Sequence, residues 1–327
     1  MTLTDDYDVA LLDLDGVVYI GGTAIPGAPE ALSKAAQQGM RLAYVTNNAF
    51  RTPAAVADLL TGMGVPATAG DVVTSAQAAA RLVAGKFPVG TKVLVIGGTG
   101  LRLALRERGL VPVSTAADRP EAVVEGYSPG VTYSAIAEGG LAVAAGALFV
   151  ATNADSTIPG PRGAQPGNGS MIQAIVHATG VEPVVAGKPE PPLHHESVLR
   201  TGAKHPLVVG DRLDTDIEGA QGVGADSLLV LTGVTRPADL ITAPPHQRPT
   251  YIGAGLSTLL TSYIFPERRG QVFQCGGWTV ELSGQSPVLT GSGDAICALR
   301  ALCAAAWDSP DRADAARDAL RDLTIPG

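Results

Sequence analysis

Apolar strand-like runs alternate with alanine-rich stretches of helical periodicity along almost all of this 327-residue chain, and no other feature restricts its fold as much. Strand and helix in such repetition bury their apolar faces as a parallel sheet covered by helices. DVALLD, RLAYVTNN, HPLVVGD, DSLLVLTG and TYIGAG supply strands. Helices are expected around residues 29–38 and from Thr52 and Pro53, where Pro suits a first helical turn and Thr its cap. A second group, GTKVLVIGG, AVVEGY and ALFVATNAD, interrupts the first, which resumes after GVEPVVAGKPEPP. The expected class is therefore α/β. A Rossmann-like, doubly wound parallel core spans residues 1–82 and 186–262, with an α/β unit inserted at 83–185. Within the insert, STIPGPRGAQPGNGS reads as a long loop. From about Phe265 the texture changes to an amphipathic strand, GWTVELSG, and two helical stretches. Residues 263–327 are accordingly a short C-terminal α/β extension.

Composition narrows the function. With 46% hydrophobic and 17% charged residues the chain can bury a large core, and its net charge of −8 argues against nucleic acid or an anionic membrane as partner. A small anionic substrate needs only a local positive field. The start, MTLTDDYD, lacks the basic and apolar regions of a signal peptide, and the longest apolar run, LAVAAGALFVAT, falls short of the ~20 residues that span a bilayer. A cytoplasmic protein is expected. Cys275, Cys297 and Cys303 lack metal-ligand spacing, which suits reduced, buried thiols.

Four polar motifs stand where apolar runs end, and in an open parallel sheet ligands bind beyond the carboxyl ends of the strands. In VALLDLDG, Asp13 is placed to attack an electrophile, and Asp15, two residues on, to shuttle a proton. Clustered acids repel unless a cation neutralises them, and Mg²⁺ is the hard cation that carboxylates, a carbonyl and waters serve. Thr46, Asn47 and Asn48 follow RLAYV and offer a hydroxyl, amides and turn N–H groups to phosphate oxygens. Lys188 is held between Gly187 and Pro189. In LVVGDRLDTDIEGA, Asp211 comes first after the strand and is best placed to complete a cation site, while Asp214 or Thr215 caps the next helix. A nucleophile, a hydroxyl, a cation and metal carboxylates are what phosphoryl transfer asks for.

The ordered set DLDGVVY, VTNN, GKPEP and GDRLDTDIEGA resembles the haloacid dehalogenase superfamily from about Tyr7 to Leu260. More narrowly, it is similar to the p-nitrophenylphosphatase and phosphoglycolate or glycerol-phosphate phosphatase branch with its large α/β cap. The resemblance implies Asp13 as nucleophile, Asp15 as general acid and base, and Thr46, Asn47 and Lys188 as phosphate anchors. It also implies Asp13, the Asp15 carbonyl and Asp211 as Mg²⁺ ligands, with Asp216 behind them, and a homodimer formed through the cap. Specificity is then expected on the cap, from Asn153 and Asp155 after ALFVAT and from Arg162 and Asn168 in the glycine-rich loop. Glycerol 3-phosphate is the best-fitting substrate and 2-phosphoglycolate the alternative; a sugar phosphate, pyridoxal phosphate or nucleoside monophosphate also stays open.

Other readings are weaker. Gly98 and Gly100 begin a dinucleotide fingerprint, but Leu103 stands in place of its third glycine. A phospho-accepting receiver module shares the acids, Thr and Lys in a different order along the chain. His194 and His195 suit a surface or capping role. Gly291 and Gly293 in LTGSGDAICALR bear a faint resemblance to the pyrophosphate loop of N-acetyltransferases, without an acceptor site.

Overall fold

The computed structural model describes residues 2–158, 160, 162–282, 287–320, 323 and 325. Along the chain, the strands used below are β1 (Val9–Leu12), β2 (Arg41–Thr46), β3 (Val72–Thr74), β4 (Lys92–Ile96), β5 (Val111–Val113), β6 (Ala122–Glu125), β7 (Leu148–Ala151) and β8 (Val184–Val185). After these come β9 (Pro206–Gly210), β10 (Asp226–Val230), β11 (Tyr251–Gly253), β12 (Glu267–Arg269), β13 (Val272–Cys275), β14 (Trp278–Glu281) and β15 (Val288–Gly291). The helices used below are α1 (Ala28–Gln37), α2 (Pro53–Gly62), α3 (Ser75–Ala84), α4 (Thr99–Glu107), α5 (Tyr133–Ala144), α6 (Asn168–Thr179), α7 (Pro191–Thr201) and α8 (Ala295–Asp308).

Two sheets account for the alternation read in the sequence. One has the order β11-β10-β9-β1-β2-β3 and the other β8-β7-β6-β4-β5. The pairs β1 with β9, β9 with β10, and β10 with β11 are parallel, as are β2 with β3 and all pairs of the second sheet. In the first sheet the order reverses direction between β1 and β9. A crevice for ligand opens at such a reversal, beyond the carboxyl ends of the strands.

The chain divides into two compact units, residues 1–42, 63–66 and 203–327 in one and 43–62 with 67–202 in the other. The first unit includes the C-terminal extension, whose antiparallel sheet β12-β13-β14-β15 is followed by α8. Phe273, Val280, Ile296, Leu299 and Leu302 of the extension share one apolar cluster with Leu229, Leu240, Ile252 and Ile217. Ile252, on the last strand of the first sheet, is tied to it twice. Its N–H donates to Tyr263 Oη at 3.0 Å, and its carbonyl accepts from Arg300 Nε and Nη2 at 3.0 and 2.7 Å. The Arg300 guanidinium lies 3.8 Å from the centre of the Tyr263 ring, a cation–π contact that keeps this buried charge solvated by protein.

In the second unit, Leu94, Ile96, Val123, Phe149 and Ala151 meet Ile172 and Ile175 of α6. The segment expected to be a long loop contains a short hairpin, Thr157–Ile158 with Gln165–Pro166, and runs into α6 already at Asn168. Gly100, considered for nucleotide binding, has a packing role. Its N–H donates to Phe50 O at 3.0 Å, and a Cβ there would overlap the carbonyls of Ala49 and Arg51. The three cysteines are free and buried, and no helix among the described residues is long and apolar enough to cross a membrane.

Candidate active site

The first unit gathers the acids. Leu12 pairs with Val209, and the ladder runs one residue further, with Asp13 N–H donating to Val209 O at 2.8 Å. The ends of β1 and β9 are thereby level, and Asp13 and Asp211 follow them. The chain then turns around Leu14, whose carbonyl accepts the N–H groups of Val17, Val18 and Tyr19. Gly16 sits in this turn at φ 83°, where a side chain would be strained and a Cβ would run into the Asp211 carboxylate. Val234 N–H donates to Asp211 Oδ2 at 2.6 Å. After β9, residues Leu213–Ile217 form a wide helical turn in which Asp216 Oδ2 accepts the Arg212 N–H at 3.2 Å. Asp214 points outward and pairs with the Arg212 guanidinium instead.

One carboxylate oxygen each of Asp13, Asp211 and Asp216 lies within 4.8 Å of the others, Asp211 and Asp216 buried and Asp13 half-buried. Like charges this close repel, and a cation bound among them would offset that repulsion. An all-oxygen set on the rigid ends of two strands fits Mg²⁺. Asp15 is exposed, and its main chain is bridged to Tyr19.

The second unit gathers the neutral and cationic groups. Thr46 ends β2, and its Oγ1 accepts Asn48 N–H at 3.1 Å. Asn47 acts as a pincer on Lys188. Its Oδ1 accepts the Lys188 N–H at 2.9 Å, and its Nδ2 donates to Lys188 O at 3.2 Å and to Asp155 Oδ2 at 3.4 Å. The Asn47 carbonyl accepts Ser75 Oγ at 2.7 Å and Asn153 Nδ2 at 3.0 Å. Lys188 is 4% exposed, and its Nζ donates to Val45 O at 3.4 Å. The ammonium is thus held by backbone from the strand that also delivers Thr46.

The cap residues singled out in the sequence fall into two groups. Asn153 and Asn168 are buried and bonded to main chain: Asn153 Oδ1 accepts Asp155 N–H at 3.2 Å, and Asn168 Nδ2 donates to Asn153 O at 2.8 Å. Arg162 is exposed and Asp155 half-buried. His194 departs from the surface role expected for it. It is 1% exposed, neither ring nitrogen has a partner, and burial followed by the nearby Lys188 and His195 pushes its pKa down to about 3. It is a neutral core residue of α7, whereas His195 is exposed as expected.

Two buried acids escaped the sequence reading. Glu196 takes hydrogen bonds from the guanidinium groups of Arg81, Arg108 and Arg200. Glu125, at the end of β6, is fully buried with both carboxylate oxygens unpartnered, and burial pushes its pKa up to about 8. Its signal was available: AVVE closes an apolar run with an acid, as DVALLD does.

Residues 10–111 match the haloacid dehalogenase-like hydrolase family, and residues 185–259 match a second HAD-hydrolase-like description. Residues 275–325 match a GCN5-related N-acetyltransferase-like domain. The chain is 43% identical to the D-glycerol 3-phosphate phosphatase of Mycobacterium tuberculosis over 317 residues, 94% of this chain and 88% of that one. It is 40% identical to a 5'-nucleotidase of Bacillus subtilis over 70% of this chain and 89% of the other. The crystal structure of the M. tuberculosis glycerol phosphate phosphatase in complex with magnesium superposes with a TM-score of 0.87, covering 94% of this chain and 92% of that one at 43% identity.

Proposed function

The chain belongs to the haloacid dehalogenase-like hydrolases, and on that premise we propose that it is a Mg²⁺-dependent phosphatase of small phosphate monoesters with glycerol 3-phosphate as substrate. The observation that carries the reading is the convergence of Asp13, Asp211 and Asp216 at the ends of β1 and β9. Likeness over nearly the whole chain to a D-glycerol 3-phosphate phosphatase supports the choice of ester.

In the proposed reaction an Asp13 oxygen attacks phosphorus in line. The bond from phosphorus to the ester oxygen breaks, and the Asp15 carboxylic acid gives its proton to the departing alkoxide. Asp15, now ionised, takes a proton from the water that attacks the aspartyl-phosphate, which frees inorganic phosphate and restores Asp13. Lys188, with Thr46 and the Asn47 turn, holds the phosphoryl oxygens and offsets their charge throughout. Asp13, Asp211 and the Asp15 carbonyl would hold Mg²⁺, with Asp216 supporting them. When bound, the ion supplies positive charge that lets the acids stay ionised and the anionic phosphate approach. Buried, unpaired cysteines suit a reducing, cytoplasmic setting.

Phosphate release measured over a panel of esters tests the substrate. Glycerol 3-phosphate is expected to give the highest kcat/KM, above 2-phosphoglycolate, hexose phosphates, pyridoxal phosphate and nucleoside monophosphates. A nucleoside monophosphate at the top would overturn the choice of ester and leave the chemistry standing.

A further inference from the structure

Glu125 occupies a position that its chemistry does not explain by itself. It is level with Ile96 and Ala151 across the parallel sheet, and both of these neighbours belong to the apolar cluster that includes Ile172 and Ile175 of α6. An ionised carboxylate there would be without compensation. Its neighbour Asn168 has the complementary problem. Asn168 Nδ2 donates to Asn153 O at 2.8 Å and to Glu125 O at 3.5 Å, whereas Asn168 Oδ1 has no donor. Turning the amide over would press Oδ1 against two carbonyl oxygens, so its orientation is fixed and the buried acceptor remains. A proton on Glu125 would answer both needs, because a carboxylic acid carries the O–H donor that Oδ1 lacks.

We infer that Glu125 donates a hydrogen bond from its carboxyl O–H to Asn168 Oδ1 and is the anchor of an amide relay that positions Lys188. The relay runs from Asn168 to Asn153 O, from Asn153 Nδ2 to Asn47 O at 3.0 Å, and from Asn47 Oδ1 to the Lys188 N–H at 2.9 Å. Each amide is locked by what its other end must satisfy, so order imposed at Glu125 is transmitted to the main chain on both sides of Lys188. Burial supports this state by holding the carboxyl protonated to about pH 8. The titratable groups on the packed elements are hydrogen-bonded elsewhere or exposed. Lys92 donates to Asp118 O, Glu138 accepts Ala116 N–H, and Tyr133 and His177 are exposed. Glu125 touches no reacting atom and is a positioning residue. Its role rests on Lys188 being the phosphate anchor.

The test compares E125Q and E125A with the unaltered full-length enzyme, by kcat/KM for p-nitrophenyl phosphate with saturating Mg²⁺ across neutral and alkaline pH. The glutamine amide keeps an N–H for Asn168 Oδ1 and cannot ionise. E125Q should match the unaltered enzyme at neutral pH and outperform it as pH rises through about 8, where Glu125 gives up its proton. E125A should lose roughly ten- to hundredfold at every pH, the size expected when a catalytic group is displaced by a fraction of an ångström to an ångström. Equal rates for E125Q and E125A would overturn the relay. So would a constant ratio of E125Q to unaltered enzyme through the alkaline range, a comparison that decides the matter even if E125A does not fold. K188A tests the anchor separately: retained turnover there would sink the role of Lys188, whereas a dead K188A beside a fully active E125A would sink the relay alone.

Discussion

The acids that follow β1 and β9 and the amides that surround Lys188 solve opposite electrostatic problems. In the first region three carboxylates lie within 4.8 Å of one another, a crowding of like charge that a bound cation would relieve. In the second, the main-chain N–H and carbonyl of a single buried lysine are bound by the Asn47 amide, and the Asn47 carbonyl is bound in turn by the Asn153 amide. The difference teaches how each region fails. Removing one acid changes the charge that a metal ion sees, while removing one amide leaves the charge alone and shifts the geometry.

Asp13→Asn should break the comparison most, because the amide keeps the shape but removes the proposed nucleophile and one negative charge of the acid cluster. A loss of roughly 10³-fold or more is expected, with circular dichroism unchanged; turnover above a few per cent would remove Asp13 from its role. Asp211→Asn should come next. It should raise the Mg²⁺ concentration needed for half-maximal rate by at least about tenfold, since even groups behind the metal ligands matter that much, and should shrink the rise in Tm that Mg²⁺ gives the folded chain. Unchanged activation would move the metal site toward Asp216. Asn47→Ala should sharpen the contrast: a loss of roughly ten- to hundredfold in kcat/KM with the Mg²⁺ requirement untouched. A shifted Mg²⁺ requirement would show that the two regions are not separable in this way.

The smallest effect concerns stability alone. Glu125 is protonated to about pH 8 in the folded chain, against 4.5 for an ordinary glutamate, so between these values the unfolded chain binds fewer protons than the folded one. Folding therefore weakens as pH rises through that window, by about 1.4 kcal/mol per pH unit at most, and levels off above it. Glu125→Gln should flatten this slope in urea unfolding. A slope identical to that of the unaltered chain would count against the burial of an ionisable group here.

What could be read from the sequence follows the same division. Asp13 and Asp211 were legible because an acid closing an apolar run is improbable without a purpose, and strand register then brings the two together. Asn47, Asn153 and Asn168 were legible as candidates but not in their roles. An amide's partner is chosen by contacts more than a hundred residues away, as from Asn47 to Asn153 and Lys188, and local pattern carries no trace of it. His194 was misplaced for a related reason: a neutral imidazole packs like an apolar side chain, so its residue type does not report its burial. The hairpin at Thr157–Ile158 was hidden in glycine and proline that read as loop. The extension showed its apolar stripes but not their partner, which proved to be the outer strands of the first sheet and the turn bearing Asp216 rather than a core of its own.

The bond between Arg300 and Ile252 also shows how far along the chain the first sheet reaches for its cover. β1 and its partner β9 stand nearly two hundred residues apart, and the cover over Leu229 and Ile252 comes from α8, further along the chain again. Residues 67–202 form, with 43–62, a unit that can close on itself while translation proceeds. The groups around Lys188 are joined within one unit, whereas the strands that precede Asp13 and Asp211 pair across nearly two hundred residues and take their outer cover from α8.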